Sequence, residues 1–211
     1  MSMTHTVSLW LHICAGTIAL LSGVIAMLTR KGSKLHRRAG LVYVVGMLIV
    51  GATAIVMSII RPNPFLFAVA IFSAAMALSG WLPARGDSPK LGKIIGVLSF
   101  LAAILLISVG ILWIVTGDLF GIAAVVFGVI SAQYGWRGIR RTVERNRQQR
   151  VVAHVSAMGG AFIATVSAVS AVNLDVLPPL VRWLWPTVIG TPLIVWGIRS
   201  YLNQNKPQNI R

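Results

Sequence analysis

Acidic residues are scarce in this sequence. The 211 residues include four Asp or Glu against 19 Lys or Arg, giving a net charge of +15. Only 11% of the chain is charged, whereas a soluble domain has roughly 25%. The four carboxylates lie between apolar runs, at positions 87, 118, 144 and 175. Their absence from the runs argues against carboxylate-based ion coupling across a membrane.

Other residue types are missing from the positions that several functions need. The single cysteine, Cys14, excludes an internal disulfide and a cysteine-based zinc or iron–sulfur site. We expect Cys14 to be a small buried residue on a packed helix. Every lysine lies in a loop or in the C-terminal tail, which excludes a retinal pigment, and no Walker spacing predicts a nucleotide-binding loop.

Apolar residues are abundant: 56% of the chain is hydrophobic. Seven apolar runs, each close to the ~20 residues that span a bilayer, cover about 7–28, 41–60, 65–84, 94–116, 119–136, 151–173 and 180–200. The fold class is therefore predicted to be all-α, a polytopic transmembrane bundle of seven helices. We expect one domain over 1–202 and a short basic cytoplasmic tail over 203–211.

Basic residues mark every second connection between the runs. The segments "TRKGSKLHRRAG", "ARGDSPKLGK" and "RGIRRTVERNRQQR" are rich in Lys and Arg, and the intervening connections are not. Cytoplasmic loops carry this excess. The pattern predicts an N-terminus outside and a C-terminus inside a bacterial inner membrane. It also predicts attraction of the loops to anionic lipid headgroups and argues against nucleic acid as a partner.

Small residues and prolines suggest how the helices pack. Gly16 and Gly23 lie on one face of the first run, and Gly160 lies in a sixth run of mostly small residues. Such faces allow close helix packing in lipid, so we expect the first and sixth helices at the centre of the bundle. Pro186 and Pro192 predict a bend in the seventh helix. The segment "RRTVERNRQQR" is predicted to extend the fifth helix with a solvated basic face.

Histidines are the main candidates for chemistry. From the predicted topology, His12 lies near the outer surface, and His36 and His154 lie on the cytoplasmic side, where they could meet. His12 and His154 are too far apart in depth to share one ion. In a structural role, each imidazole bonds to a neighbouring helix, and His12 could meet Asn173.

Two functional interpretations remain open beside the structural one. The first is a site for haem b or a transition metal. Its cytoplasmic-side candidates are two histidines, a methionine one turn from His154, and two arginines that could neutralise propionates: His36, His154, Met158, Arg37 and Arg38. His12 and His154 are also candidate metal ligands at separate sites. The second interpretation is a proton or small-solute pathway through titrating histidines.

The segments "LHICAGTIALLSG", "RKGSKLHRRAGLVYVVGM", "HVSAMGGAFIATVSAVSAVN" and "WLWPTVIGTPLIV" resemble a bacterial family of polytopic membrane proteins catalogued as a domain of unknown function, of the 2306 type. The family pattern falls on eight positions: His12, His36, Arg37, Gly40, His154, Met158, Asn173 and Pro186. The resemblance implies a seven-helix inner-membrane protein and supplies no activity. We expect a non-enzymatic or accessory membrane protein, alone, as a homo-oligomer or with a partner subunit.

Overall fold

The computed structural model describes residues 3–205 and contains seven α-helices in that range. In chain order they are α1 (Met3–Leu28), α2 (Lys34–Ile60), α3 (Pro64–Arg85), α4 (Pro89–Val115), α5 (Gly121–Ile139), α6 (Arg147–Asn173) and α7 (Pro179–Gln204). Four of them begin at a side-chain cap, in which Ser33, Asn63, Ser88 or Asn146 accepts a hydrogen bond from a first-turn backbone N–H.

The predicted all-helical fold with seven helices is confirmed over this range. Six helices, α1 to α6, are long and apolar enough to cross a membrane. α7 has sufficient length, but its prolines, tryptophans and two arginines lower its mean hydropathy. It lies antiparallel along α6, from Arg182 beside Ala171 to Gly159 beside Ile194.

The outside of the bundle is apolar, as lipid contact requires. Large aliphatic side chains point away from the protein along most helices, for example Leu101 at 57% exposed and Val188 at 69%. Cys14 belongs to this outer surface, so the expectation that it is buried was wrong. A side chain of its size and polarity is tolerated at a lipid-facing position.

The centre of the bundle is α3, so the expectation that α1 and α6 occupy it was wrong. α3 packs against α2, α4, α5 and α6 and is the most buried helix, whereas α1 packs mainly on α2. The buried core includes Phe65, Phe72 and Met76 of α3. Gly23 and Gly160 do adjoin neighbouring helices, but they make room for aromatic or thioether side chains instead of another backbone.

α2 and α6 face each other diagonally across a group of four helices. Neighbouring helices around this group are α1 with α2, α2 with α3, α3 with α6, and α6 with α1. Among the described residues, no Cα of α2 lies within 8 Å of a Cα of α6. Long side chains bridge the space between them, such as Tyr43, whose hydroxyl is 3.0 Å from Thr165 Oγ1. The interior between facing helices is where bundles hold ligands.

The segment after α5 corrects another prediction. α5 ends at Ile139, and residues 140–146 form a loop, not a helical extension. Arg141 and the backbone of Arg145 bind Asp87 in the α3–α4 loop, and this non-helical path permits both contacts. α7 continues through Pro186 and Pro192 to Gln204, past the predicted start of the tail at 203. Lys206 and Arg211, predicted to be part of that tail, lie outside the described residues.

α4 and α5 form a tight antiparallel hairpin with small residues every seven positions. Gly110, Ala103 and Gly96 of α4 lie beside Gly121, Gly128 and Gly135 of α5, respectively. A β-carbon built on Gly135 would lie 2.8 Å from Phe100 N and 2.9 Å from Gly96 O, which are backbone atoms that cannot rotate away. The two backbones therefore approach each other without intervening side chains, as small-residue helix pairs do in lipid.

We expect Gly135→Ala to destabilise the protein by about 1 to 3 kcal/mol, because the two helices must separate to admit the methyl group. The matched control is Gly197→Ala in α7, where a β-carbon meets nothing within 4 Å. Alanine is the better helix former, so the control should be neutral or slightly stabilising. Thermal unfolding in detergent compares the two, and equal melting temperatures would contradict the packing described here.

Candidate functional site

Two histidines meet at the end of the bundle that carries the basic loops. His36 lies in the first turn of α2 and His154 in the second turn of α6. Their ring centroids are 6.2 Å apart and their planes are inclined at 74°. The sequence predicted that this pair could meet, and the structure brings the two rings together across the gap between α2 and α6.

A backbone carbonyl orients each of the two rings. His36 Nδ1 lies 2.9 Å from Ala26 O in α1, and His154 Nδ1 lies 2.8 Å from Gly80 O in α3. A carbonyl oxygen only accepts, so each Nδ1 carries the proton and donates it. In a neutral imidazole this leaves the lone pair on Nε2, and neither Nε2 has a hydrogen bond within residues 3–205. Metal-ligating histidines are typically held by this kind of contact.

Gly80 positions both His154 and Met158. Its carbonyl accepts from the His154 ring, and a β-carbon there would lie 2.6 Å from Met158 Cγ and 2.7 Å from Met158 N. Glycine at this position therefore lets α6 approach α3 closely enough for the hydrogen bond to form. Met158 lies one turn further along α6 and packs against the hydrophobic core.

One basic side chain lies beside the histidine pair, and two more follow His36 in the chain. Lys31 Nζ donates to Met27 O and lies 3.4 Å from Ala26 O, the same oxygen that accepts from His36. Arg37 and Arg38 follow His36 and are exposed. Lys31 places positive charge beside the pair, and none of the four acidic residues makes an ion pair with these three basic residues in the described structure.

His12 lies at the opposite end of the bundle and has a different partner from the predicted one. Its Nδ1 is 3.2 Å from Val50 O and 3.1 Å from Thr53 Oγ1, both in α2. Asn173 instead donates to Val169 O of its own helix, 2.7 Å away. The predicted contact between His12 and Asn173 was wrong, because the face of α1 that carries His12 packs on α2 and not on the end of α6.

The other residues assigned structural roles lie in three different environments. Gly16 faces Val50 at an ordinary van der Waals distance. At Gly23 a β-carbon would meet the rings of Phe162 and Tyr43, and at Gly160 it would meet Met76 Cε. Pro186 is the one buried residue of α7.

The described residues contain no group of three or more His, Cys, Asp or Glu side chains that could hold a metal ion. A zinc site built from four such ligands is therefore not formed by residues 3–205. The His36–His154 pair offers two nitrogens. Since a metal–imidazole bond is about 2 Å long, two imidazoles on one ion have centroids about 5 to 6.5 Å apart. The observed separation of 6.2 Å falls within that range.

A second polar cluster was not predicted from the sequence. Asp87, with a side chain only 1% exposed, lies 2.6 Å from Arg141 Nη1 and 2.6 Å from Arg145 N. Arg141 also donates to Ser88 O. Burial and the charge of Arg141 lower the pKa of the Arg145 guanidinium, and Asp87 acts in the opposite direction. These contacts join the α3–α4 loop to the α5–α6 loop.

Comparison with known families bears on the first three helices. Residues 9–82 match the family model described as "Predicted membrane protein (DUF2306)". The family resemblance is confirmed over this part of the chain. The matched segment contains His12, His36 and Gly80, whereas His154 lies beyond it. Searches of curated proteins and of solved structures gave no match.

We expect His12→Phe to lower stability by roughly 0.6 to 2 kcal/mol, the range for one interhelical hydrogen bond in a membrane. Phenylalanine keeps the ring, and Thr53 retains its bonds to Ile49 O and Val50 O. Cys14→Ala, an exposed position on the same helix, is the control. If the two variants melt at the same temperature, the His12 contact contributes no stability.

We expect Asp87→Ala to destabilise the protein by about 3 to 5 kcal/mol, because it leaves the guanidinium of Arg141 buried without its carboxylate. Glu144→Ala removes an exposed acid from the neighbouring loop and should change little. Thermal unfolding of both variants in the same detergent provides the comparison. A stable Asp87→Ala variant would contradict a structural role for the ion cluster.

Proposed function

We propose that this polytopic membrane protein is a haem-binding redox accessory protein in which the imidazoles of His36 and His154 would together hold one haem b. The observation that carries the proposal is the pair itself. Two imidazoles with centroids 6.2 Å apart each donate Nδ1–H to a backbone carbonyl, which leaves both Nε2 lone pairs for a metal.

Charge favours haem over a bare cation at this site. The ammonium group of Lys31 shares the Ala26 carbonyl with His36, so a divalent ion would add positive charge to a positive neighbourhood. Haem b brings two propionates, and Arg37 and Arg38 are the predicted cations to pair with them. When bound, haem iron supplies one-electron chemistry.

The two helices that carry the pair are joined by side chains and not by backbone contacts. α2 and α6 are bridged by side chains alone, so a ligand between them displaces no backbone contact. Gly40 lies one turn from His36 on α2, and a β-carbon there would meet nothing within 4 Å. Met158 and the carbonyl of Gly80 limit the space on the side of α3.

The distribution of basic loops supports a cytoplasmic position for this site. The histidine pair lies at the end of the bundle that carries loops 29–33, 86–88 and 140–146. We infer that this end faces the cytoplasm of a bacterial inner membrane, with the N-terminus on the opposite side. Electron donors and acceptors would then reach the site from the cytoplasm or through the membrane.

We expect protein purified from haem-supplied cells to show a Soret band and one haem per chain. His36→Ala and His154→Ala should each lose most of this absorbance, because one axial ligand is removed. His12→Ala is the matched control, since His12 also bonds a carbonyl but lies at the opposite end of the bundle from the pair. Circular dichroism verifies that all variants remain folded.

His154→Met distinguishes ligation from a merely structural role. A thioether replaces an imidazole as ligand, so haem should be retained with a raised reduction potential. Wild-type protein that is folded but colourless and free of haem would overturn the proposal. So would haem retention that is equal in wild type, His36→Ala and His154→Ala.

A further inference from the structure

A cleft separate from the histidine pair opens between the ends of five helices. It has a volume of about 350 Å³ and is bounded by α3, α4, α5, α6 and the last residues of α7. Its deeper wall is apolar and includes Leu82, Ile95 and Ala157. The bond between Tyr134 and Ser156, 2.7 Å long, adds a polar edge to this wall.

Three arginines line the mouth of this cleft. These are Arg137, Arg141 and Arg145. Asp87 is the one carboxylate bonded to this group, and it engages Arg141 and Arg145. Three guanidiniums against one carboxylate leave two uncompensated positive charges. Arg137 makes no hydrogen bond in the part of the chain that the structure describes, so all its donors are available.

Arg141 provides a second, independent indication of a ligand. Its side chain is only 9% exposed, yet its Nε is a buried donor without a partner among residues 3–205. Leaving such a donor unpaired is costly, so the guanidinium of Arg141 has hydrogen-bonding capacity beyond its bonds to Asp87 and Ser88 O. The first turn of α6, at Gln148 and Gln149, also lines the cleft and adds the positive end of a helix dipole.

We propose that this cleft binds a phosphate group, and that the arginines Arg137, Arg141 and Arg145 are its ligands. Two uncompensated charges match a phosphate monoester, and planar guanidinium groups bind phosphate oxygens in pairs. The phosphate can belong to a membrane lipid or to a free anion. The apolar wall formed by Leu82, Ile95 and Ala157 favours the lipid, because its glycerol and first methylenes would cover that wall.

The test compares purified protein in phosphatidylcholine nanodiscs with protein in nanodiscs that also contain phosphatidic acid. In a separate arm, inorganic phosphate is added to the protein in phosphatidylcholine nanodiscs. Melting temperature and native mass spectrometry report binding. The informative variant is Arg137→Gln, which leaves the bonds of Asp87 intact. Arg140→Gln is the matched control, because Arg140 stacks on Trp136 and does not line the cleft.

We expect phosphatidic acid to raise the melting temperature and to remain bound in the mass spectrometer. Arg137→Gln should weaken retention on the order of tenfold through loss of charge-assisted hydrogen bonds, and Arg140→Gln should not.

The same pattern with inorganic phosphate alone supports the site and assigns it to a free anion. Absence of binding in both arms overturns the proposal. Equal losses of binding in Arg137→Gln and Arg140→Gln also overturn the proposal, because they indicate general attraction to a basic surface. Neither variant touches His36 or His154, so haem content is unaffected by either result.

Discussion

The hydrogen bond from His154 to the carbonyl of Gly80 determines the geometry of the candidate haem site. It joins α6 to α3, the helix on which four other helices pack. It also fixes which imidazole nitrogen carries the proton and therefore which one is available to a metal. Gly80 makes the bond feasible, since any side chain there would collide with Met158. In hydrocarbon there is no water to replace such a contact.

Several other polar groups in the bundle obey the same constraint. His12 bonds α2, His36 bonds α1, Tyr43 bonds Thr165, and Ser131 donates to Ser99 O across the α4–α5 pair. Each contact satisfies a polar group and at the same time joins two helices. The His36–His154 pair differs from the others because two separately anchored rings lie beside each other, each with an Nε2 that has no hydrogen bond in the described structure. This difference separates a candidate ligand from an ordinary interhelical contact.

Much of the fold could be predicted because hydropathy and charge are local properties of the sequence. Seven apolar runs and three basic connections indicated seven helices with those connections at one end. Depth along the helices indicated that His36 and His154 could meet and that His12 could not join them. Which helices become neighbours depends on packing between distant segments. The central position of α3 and the partner of His12 were therefore not predicted.

Some signals were present in the sequence and were not recognised. Gly121, Gly128 and Gly135 recur every seven residues in α5, and Gly96, Ala103 and Gly110 do so in α4. This spacing places small residues on one helix face and indicates the close α4–α5 pair. The Asp87 cluster had no comparable signal, because Asp87 and its two arginine partners lie in different loops, 54 and 58 residues apart. A basic segment between two helices is normally a solvated surface, and only the buried carboxylate distinguishes this one.

The central claim is that His36 and His154 bind the same iron. Low-temperature electron paramagnetic resonance of the oxidised, purified protein tests it most directly, because two axial imidazoles make ferric haem low-spin. If both imidazoles bind the iron, the oxidised protein should give a low-spin ferric signal that integrates to one haem per chain. A high-spin signal would mean that one imidazole is not a ligand, and protein without iron from haem-supplied cells would mean that neither is; either result would contradict the account.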